Sequence, residues 1–154
     1  MYYSGFADEA SPHLDRQIAV TKELGWRHIE TRNLDGANLA SLDDTQFEAL
    51  VAQLAAADVS FNCYGSGIAN WASPITDPPD KGYEEMRRAL PRLQRLGIPM
   101  IRIMSYQMPA ELYPRNEEFF PEVVRRLKRL VAMAADAGIL CLHENCAGWG
   151  GLSW

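Results

Sequence analysis

Short apolar runs and helix-period segments alternate along this chain four times, and a fifth apolar run closes the series. The runs are residues 2–7, 26–32, 59–67, 100–107 and 139–145; the helical segments are 11–25, 41–58, 80–97 and 121–138. Strands joined by helices must lie parallel, with right-handed crossovers. Each helix repeats its apolar residues on one face only, as Leu14, Ile18, Thr21 and Leu24 do in the first and Phe47, Leu50, Val51 and Leu54 in the second. Such helices cover a sheet rather than thread through it.

Local signals support these boundaries. Ser11 can cap the first helix, Pro12 suits its first position and Gly25 its stop. Ser41 with Asp44 resembles a capping box. Pro91 inside the third helix predicts a kink or break, because proline lacks the N–H that the helix needs. Pro121 stands near the start of the fourth and Gly138 at its stop. The longest irregular stretch, residues 65–80, follows the third strand, where long loops tend to be functional.

Two α/β architectures fit five parallel strands and four helices. One is an incomplete (β/α)8 TIM barrel, whose full form needs about 250 residues. The other is an open five-stranded doubly wound sheet. The second normally covers its last strand with a helix, and the Gly/Trp-rich tail 146–154 leaves no room for one. The 154 residues suit a single domain.

Composition narrows the function classes. The net charge is −5 and the longest basic stretch is the helical "RRLKRL", so a nucleic-acid or anionic-membrane partner is not expected. No apolar run nears the ~18 residues that a membrane span needs. The first ten residues have no basic region of the kind that opens a signal peptide. Three cysteines without scaffold spacing predict reduced thiols and a cytoplasmic location.

In either architecture the chemistry sits at the carboxyl ends of the strands. That rule selects Asp8 and Glu9, Glu30 and Arg32, Tyr64 with the 65–67 loop, Ser105 to Gln107 including Tyr106, and finally Glu144 and Asn145. Glu144 is the sharpest candidate, since it shares a strand face with Leu140 and Leu142 and would cap a barrel interior. A carboxylate there can bind a hard divalent cation or act as a general base. If Glu30 and Arg102 both point inward they are expected to pair, because an unpaired inward charge is costly. Cys141, His143 and Cys146 lack a fourth ligand at zinc spacing and read as packed core. The lone "GSG" is a weak phosphate signal, and no nucleotide fingerprint or nucleophile elbow is present.

The stretches "GFADEASP", "LGWRHIETRNLDGANL", "IRIMSYQ" and "LCLHEN" resemble, in matching order, the xylose isomerase-like TIM-barrel superfamily, and within it the sugar phosphate isomerase/epimerase family. The resemblance implies a (β/α)8 barrel of which residues 1–154 would be the N-terminal part, strands one to five. It implies a divalent metal (Mn, Mg, Co or Zn) held by a glutamate on strand five, an aspartate on strand six, a histidine on strand seven and an acid on strand eight. Glu144 matches the first. In related epimerases that glutamate also moves the proton next to the sugar carbonyl. Glu30, Arg32, Tyr64, Tyr106 and Asn145 are then the expected substrate-binding residues.

The other three ligands have no counterpart in this sequence. One carboxylate would hold a metal weakly, so the expectation is a truncated, weak or inactive sugar isomerase/epimerase acting on a small carbohydrate. Its open barrel edges would allow a homo-oligomer. Alternatives are a polyol or keto-acid dehydratase or lyase of the same superfamily, and a non-catalytic binding or self-associating α/β module. The histidine-rich endonuclease branch is disfavoured by only three histidines.

Overall fold

The computed structural model describes residues 1–108, 110–112, 116–145 and 149. Its elements run α1 (Leu14–Glu23), β1 (His28–Thr31), α2 (Asp44–Ala57), β2 (Ser60–Gly65), α3 (Asp80–Leu96), β3 (Met100–Ile103), α4 (Asn116–Asp136) and β4 (Leu140–His143). All pairings are parallel and the sheet order is β1-β2-β3-β4. This is the α/β arrangement of a partial TIM barrel, with strands in sequence order and no reversal of the kind a doubly wound sheet needs.

The expected first strand shrinks to one parallel bridge, Phe6 to Glu30, with Glu30 N donating to Gly5 O at 2.9 Å. Among the described residues four strands are formed rather than five. Among the described residues this segment has a neighbour on one side only, which weakens regular pairing.

Helix ends refine the expectations. His13, not Ser11, stands at the start of α1, and Ser11 Oγ instead accepts from His13 N at 3.1 Å. The cap of α2 is Asp43, whose side chain accepts from Gln46 N at 2.7 Å while Gln46 returns a bond to Asp43 N at 2.9 Å. A carboxylate three residues before a glutamine completes the box better than Ser41 can, because Ser41 is engaged with Asn38. α3 continues through Pro91 without a break and stops at Gly97 with φ +67°. α4 starts earlier than expected, at Asn116, with Glu117 and Glu118 in its first turn and Pro121 inside it.

The core lies on one side of the sheet. Ile29, Phe61, Ile101 and Ile103 point to the helices and pack with Leu50, Leu54, Met86, Leu93 and Leu130. At β4, Leu140 and Leu142 on the face away from the helices are 61 % and 36 % exposed, whereas on the other face Ile139, just before the strand, is 7 % exposed, Cys141 is half-buried and His143 at the strand end is exposed. The face turned away from the helices is therefore open to solvent at β4. No helix of the described residues is long and apolar enough to cross a membrane.

The long loop after β2 is pinned to the chain following β3. Met104 N bonds Ile68 O at 3.1 Å, Gln107 N bonds Ser73 O at 2.9 Å and Ile75 N bonds Gln107 O at 3.0 Å. Arg126, buried on α4, donates to Asp77 O at 2.8 Å and to Glu122 at 2.7 Å, tying the loop to the helix layer.

Candidate functional site

The site candidate builds up around Arg102. The register sets Arg102 beside Gly65 of β2 on one side and Leu142 of β4 on the other. Ile101 and Ile103 face the helices, so Arg102 faces away from them. Its Nη2 donates to Ser66 O at 2.9 Å, and Ser66 Oγ donates back to Arg102 O at 2.5 Å. The guanidinium carbon lies 5.4 Å from the centre of the Phe6 ring. Its Nη1 donates to the carboxylate of Glu144. The Arg102 side chain is only 12 % exposed and that of Glu144 38 %.

Gly65 makes this convergence possible. A Cβ there would stand 2.7 Å from Phe6 Cε1 and 3.4 Å from Arg102 Nη2. Only a residue without a side chain lets the ring and the guanidinium close over the strand end.

Glu30 does not pair with Arg102. It lies opposite Cys63, two strands away and short of the strand end where Arg102 sits. Ser4 Oγ donates to Glu30 Oε1 at 3.0 Å, and Asn62 Nδ2 donates to Ser4 Oγ at 2.9 Å. The register slips between Ile29 and Glu30, which leaves Asn62 as the extra residue of a bulge. Asn62 Oδ1 is buried without a partner among the described residues. The Cys63 thiol is pushed up to about 11, first by burial and then by the charge of Glu30, so it stays protonated and is no nucleophile.

Arg32 forms the third arm. It donates to Asp8 at 2.8 Å and also to Glu9, and lies 4.7 Å from the Phe6 ring centre. The hydrogen bond that it donates to Asp8 raises its pKa, with burial opposing. Phe6 thus carries both guanidiniums, Arg32 and Arg102, over one ring.

The remaining expected residues go elsewhere. Tyr64 is fully buried on the helix side, where its hydroxyl donates to Glu85 at 2.9 Å; burial, and then the Glu85 charge, raise its pKa. Glu85 also accepts from Gly67 N at 3.2 Å, so a carboxylate already takes the backbone N–H that a phosphate at "GSG" would need. Tyr106 has φ +69°, an uncommon conformation for a bulky residue, and is pushed up to about 12 by burial. It borders a cavity of about 420 Å³ between the loop after β2 and α3. Asn145 is exposed next to Glu144. Ser4, Phe6 and Asn62 were not singled out by sequence; a bulge and an aromatic platform leave no motif. Cys146 and the rest of the tail expected as the loop after the last strand lie outside the described residues, apart from Trp149.

The fit to a divalent ion is poor. Among the described residues no group of three or more His, Cys, Asp or Glu side chains lies together as a metal site needs. The Glu144 carboxylate is taken up by Arg102. A hard cation requires several oxygen ligands, and the described residues present one, already neutralised.

Known proteins give the fold its context. No curated protein matches the sequence. Among solved structures, a xylose isomerase-like TIM barrel protein from Mycobacterium smegmatis in complex with magnesium matches with TM-score 0.67 at 16 % identity, over 92 % of this chain and 54 % of its own. The probable 3-DHS dehydratase AsbF from Bacillus anthracis matches with TM-score 0.70 at 16 % identity, over 96 % of this chain and 53 % of its own. D-allulose 3-epimerase from Methylomonas sp., in complex with D-allulose, matches with TM-score 0.65 at 24 % identity, over 94 % of this chain and 51 % of its own. The chain thus spans about half the length of the structures it matches. The family model described as xylose isomerase-like TIM barrel matches residues 18–153. The chain belongs to the xylose isomerase-like TIM barrel family.

Proposed function

We propose that this chain carries the N-terminal half of a sugar isomerase or epimerase site that moves a proton next to a carbonyl. One observation carries the reading: Glu144 stands at the carboxyl end of β4 on the open face, beside Arg102 and above Leu140 and Leu142. In a barrel of this family that is the mouth, where chemistry occurs. Glu144 would take the proton from the carbon next to the carbonyl and return it, becoming transiently a carboxylic acid. Glu30, with Ser4 and Asn62, would offer hydrogen-bond partners to substrate hydroxyls deeper on the same face. The substrate class is a small carbohydrate; the net charge of −5 lends no support to a nucleic acid.

The family resemblance brings a divalent ion that would polarise the carbonyl. The described residues supply one ligand for it, so turnover by this chain is expected to be weak. A dehydratase is the second reading, supported by the likeness of fold to AsbF at TM-score 0.70. Both readings begin with the same proton removal; in the second, loss of a neighbouring hydroxyl as water follows. A module that only binds or self-associates is the third, supported by the exposure of Leu140 at 61 %.

The test is proton exchange. The chain, with Mg²⁺ or Mn²⁺ added, is incubated in D₂O with a panel of ketohexoses and keto acids, and NMR reads deuterium at the carbon next to the carbonyl. Slow exchange that disappears in Glu144→Gln is expected. Exchange that persists in Glu144→Gln would sink the assignment of the base, and an unsaturated product would favour the dehydratase.

A further inference from the structure

We infer that the cavity of about 420 Å³ between the loop after β2 and α3 is a second binding site, for a small neutral polyhydroxy compound. It is separate from the proposed reaction, because Arg102, Glu144 and Glu30 take no part in its lining. Its volume falls in the range of small-molecule sites, about 300–1,000 Å³.

Recognition centres on Gly67. A Cβ there would stand 3.5 Å from Asn70 Nδ2 and 3.9 Å from Glu85 Oε2. The surrounding bonds leave these two atoms over. Asn70 Oδ1 accepts from Ala72 N at 2.9 Å and from Ser73 Oγ at 3.0 Å. A backbone N–H only donates, so the amide oxygen is on that side and the NH2 remains. Glu85 Oε1 accepts from the Tyr64 hydroxyl and from Gly67 N, and Oε2 has no partner among the described residues. A free donor and a free acceptor thus converge on one point. A hydroxyl serves both, accepting from the amide and donating to the carboxylate. A sulfate or an ionised carboxylate has no proton for Glu85, and an ammonium has no lone pair for Asn70.

The rest of the lining agrees. It carries two acids, Glu85 and Asp77, against one cation, Lys81, so it does not favour an anion. Asn38, on the loop after β1, repeats the pattern of Asn70. Its Oδ1 accepts from Ser41 N at 2.9 Å, and its NH2 has no partner among the described residues. A second free donor serves a second hydroxyl, which sets a polyol apart from a single water. Ala69 and Tyr106 also border the cavity, with φ +56° and +69°, and Tyr106 N bonds Ala69 O at 2.5 Å. Paired backbone strain of this kind clusters where a chain is shaped around a ligand.

The experiment titrates myo-inositol and xylitol into the isotope-labelled full chain and follows the NMR signals of the Gly67 amide and the Asn70 side chain. Neither compound has a carbonyl, so neither can undergo the proposed proton transfer. Both signals are expected to move saturably with the polyols and to stay still with inorganic sulfate. Gly67→Ala puts its methyl group at ordinary contact distance, so the fold accepts it while the hydroxyl is shut out. Read at Asn70, it should weaken binding about tenfold, the worth of one hydrogen-bonded hydroxyl. Asn70→Asp keeps the oxygen that holds Ala72 and Ser73 and loses the donor; read at Gly67, it should weaken binding as much. Circular dichroism checks that both variants are folded. Glu144→Gln should bind the polyols as the native chain does. Polyols that move neither signal, sulfate that moves both, or native affinity in Gly67→Ala and Asn70→Asp overturns the inference. A loss in Glu144→Gln also overturns it, by placing the polyol at the strand ends. Failed proton exchange with these results intact would remove the proposed reaction and leave this site standing.

Discussion

Arg102 and Glu144 lie 42 residues apart in sequence, and the pairing of β3 with β4 brings guanidinium and carboxylate into contact at the strand ends. The pair is asymmetric in burial, 12 % against 38 % exposed. Removing Glu144 would leave a nearly buried cation with only a carbonyl and a ring, whereas removing Arg102 would leave a carboxylate that water can reach. Breaking a buried pair from the buried side's partner is the costlier change. This asymmetry is why the site can lose its internal cation more cheaply than its carboxylate.

Gly65 tests the close packing above β2. Gly65→Ala places a methyl group 2.7 Å from Phe6 Cε1, so the ring or the strand must move. The expected loss is about 1–3 kcal/mol, the usual cost of overpacking. Urea unfolding measures it. Phe6→Leu in the same chain should recover part of the loss, because the two residues are in contact and their effects are not additive. An additive double variant would show that the clash lies elsewhere.

The start of α2 separates two candidate caps. Asp43→Ala should cost about 1 kcal/mol, since it removes the acceptor for Gln46 N. Ser41→Ala should stay within about 0.5 kcal/mol, as expected for an exposed position outside the cap. Thermal unfolding followed by circular dichroism reads both.

Much of this fold was legible because alternation and helix period are local properties. The four helices, the parallel order and the stop at Gly97 follow from side chains close in sequence. Of the candidate site residues, Glu144 stands on the face that strand parity gives it, at the end of β4. The Glu30–Arg102 pair failed because it depends on long-range strand order and register: β2 lies between the two residues, and Glu30 stands opposite Cys63 while Arg102 stands opposite Gly65. Tyr64 was chosen for its position at a strand end, yet its ring turns to Glu85 under the helices. Phe6 was read as a strand residue, and its role under two guanidiniums comes from residues 26 and 96 positions away.

Ile139, just before β4, and Leu140, at its start, predict opposite responses to truncation. Ile139→Ala should cost about 2–5 kcal/mol, the range for emptying a packed aliphatic site. Leu140→Ser should change stability by less than about 0.5 kcal/mol, because Leu140 is 61 % exposed. A large loss for Leu140→Ser would mean that another copy covers this face. Sedimentation of the native chain would then show an oligomer that the variant loses.

Glu122 links stability to acid. Its pKa is lowered from 4.5 to about 2, first by the hydrogen bonds from Arg125 and then by those from Arg126. A carboxylate depressed in the folded state stabilises it above the unfolded pKa and loses that contribution as protons bind. Its stabilisation should therefore be full above about pH 5 and fade between pH 4.5 and about 2. Glu122 is 34 % exposed, so solvent screens part of the effect. Arg126 is buried and also holds Asp77 O at 2.8 Å, so acid should loosen the long loop together with α4. Urea midpoints at pH 6 and pH 3 in the native chain and in Glu122→Gln measure this. The native chain should lose more stability between the two pH values than the variant; equal losses would place the acid sensitivity on other carboxylates.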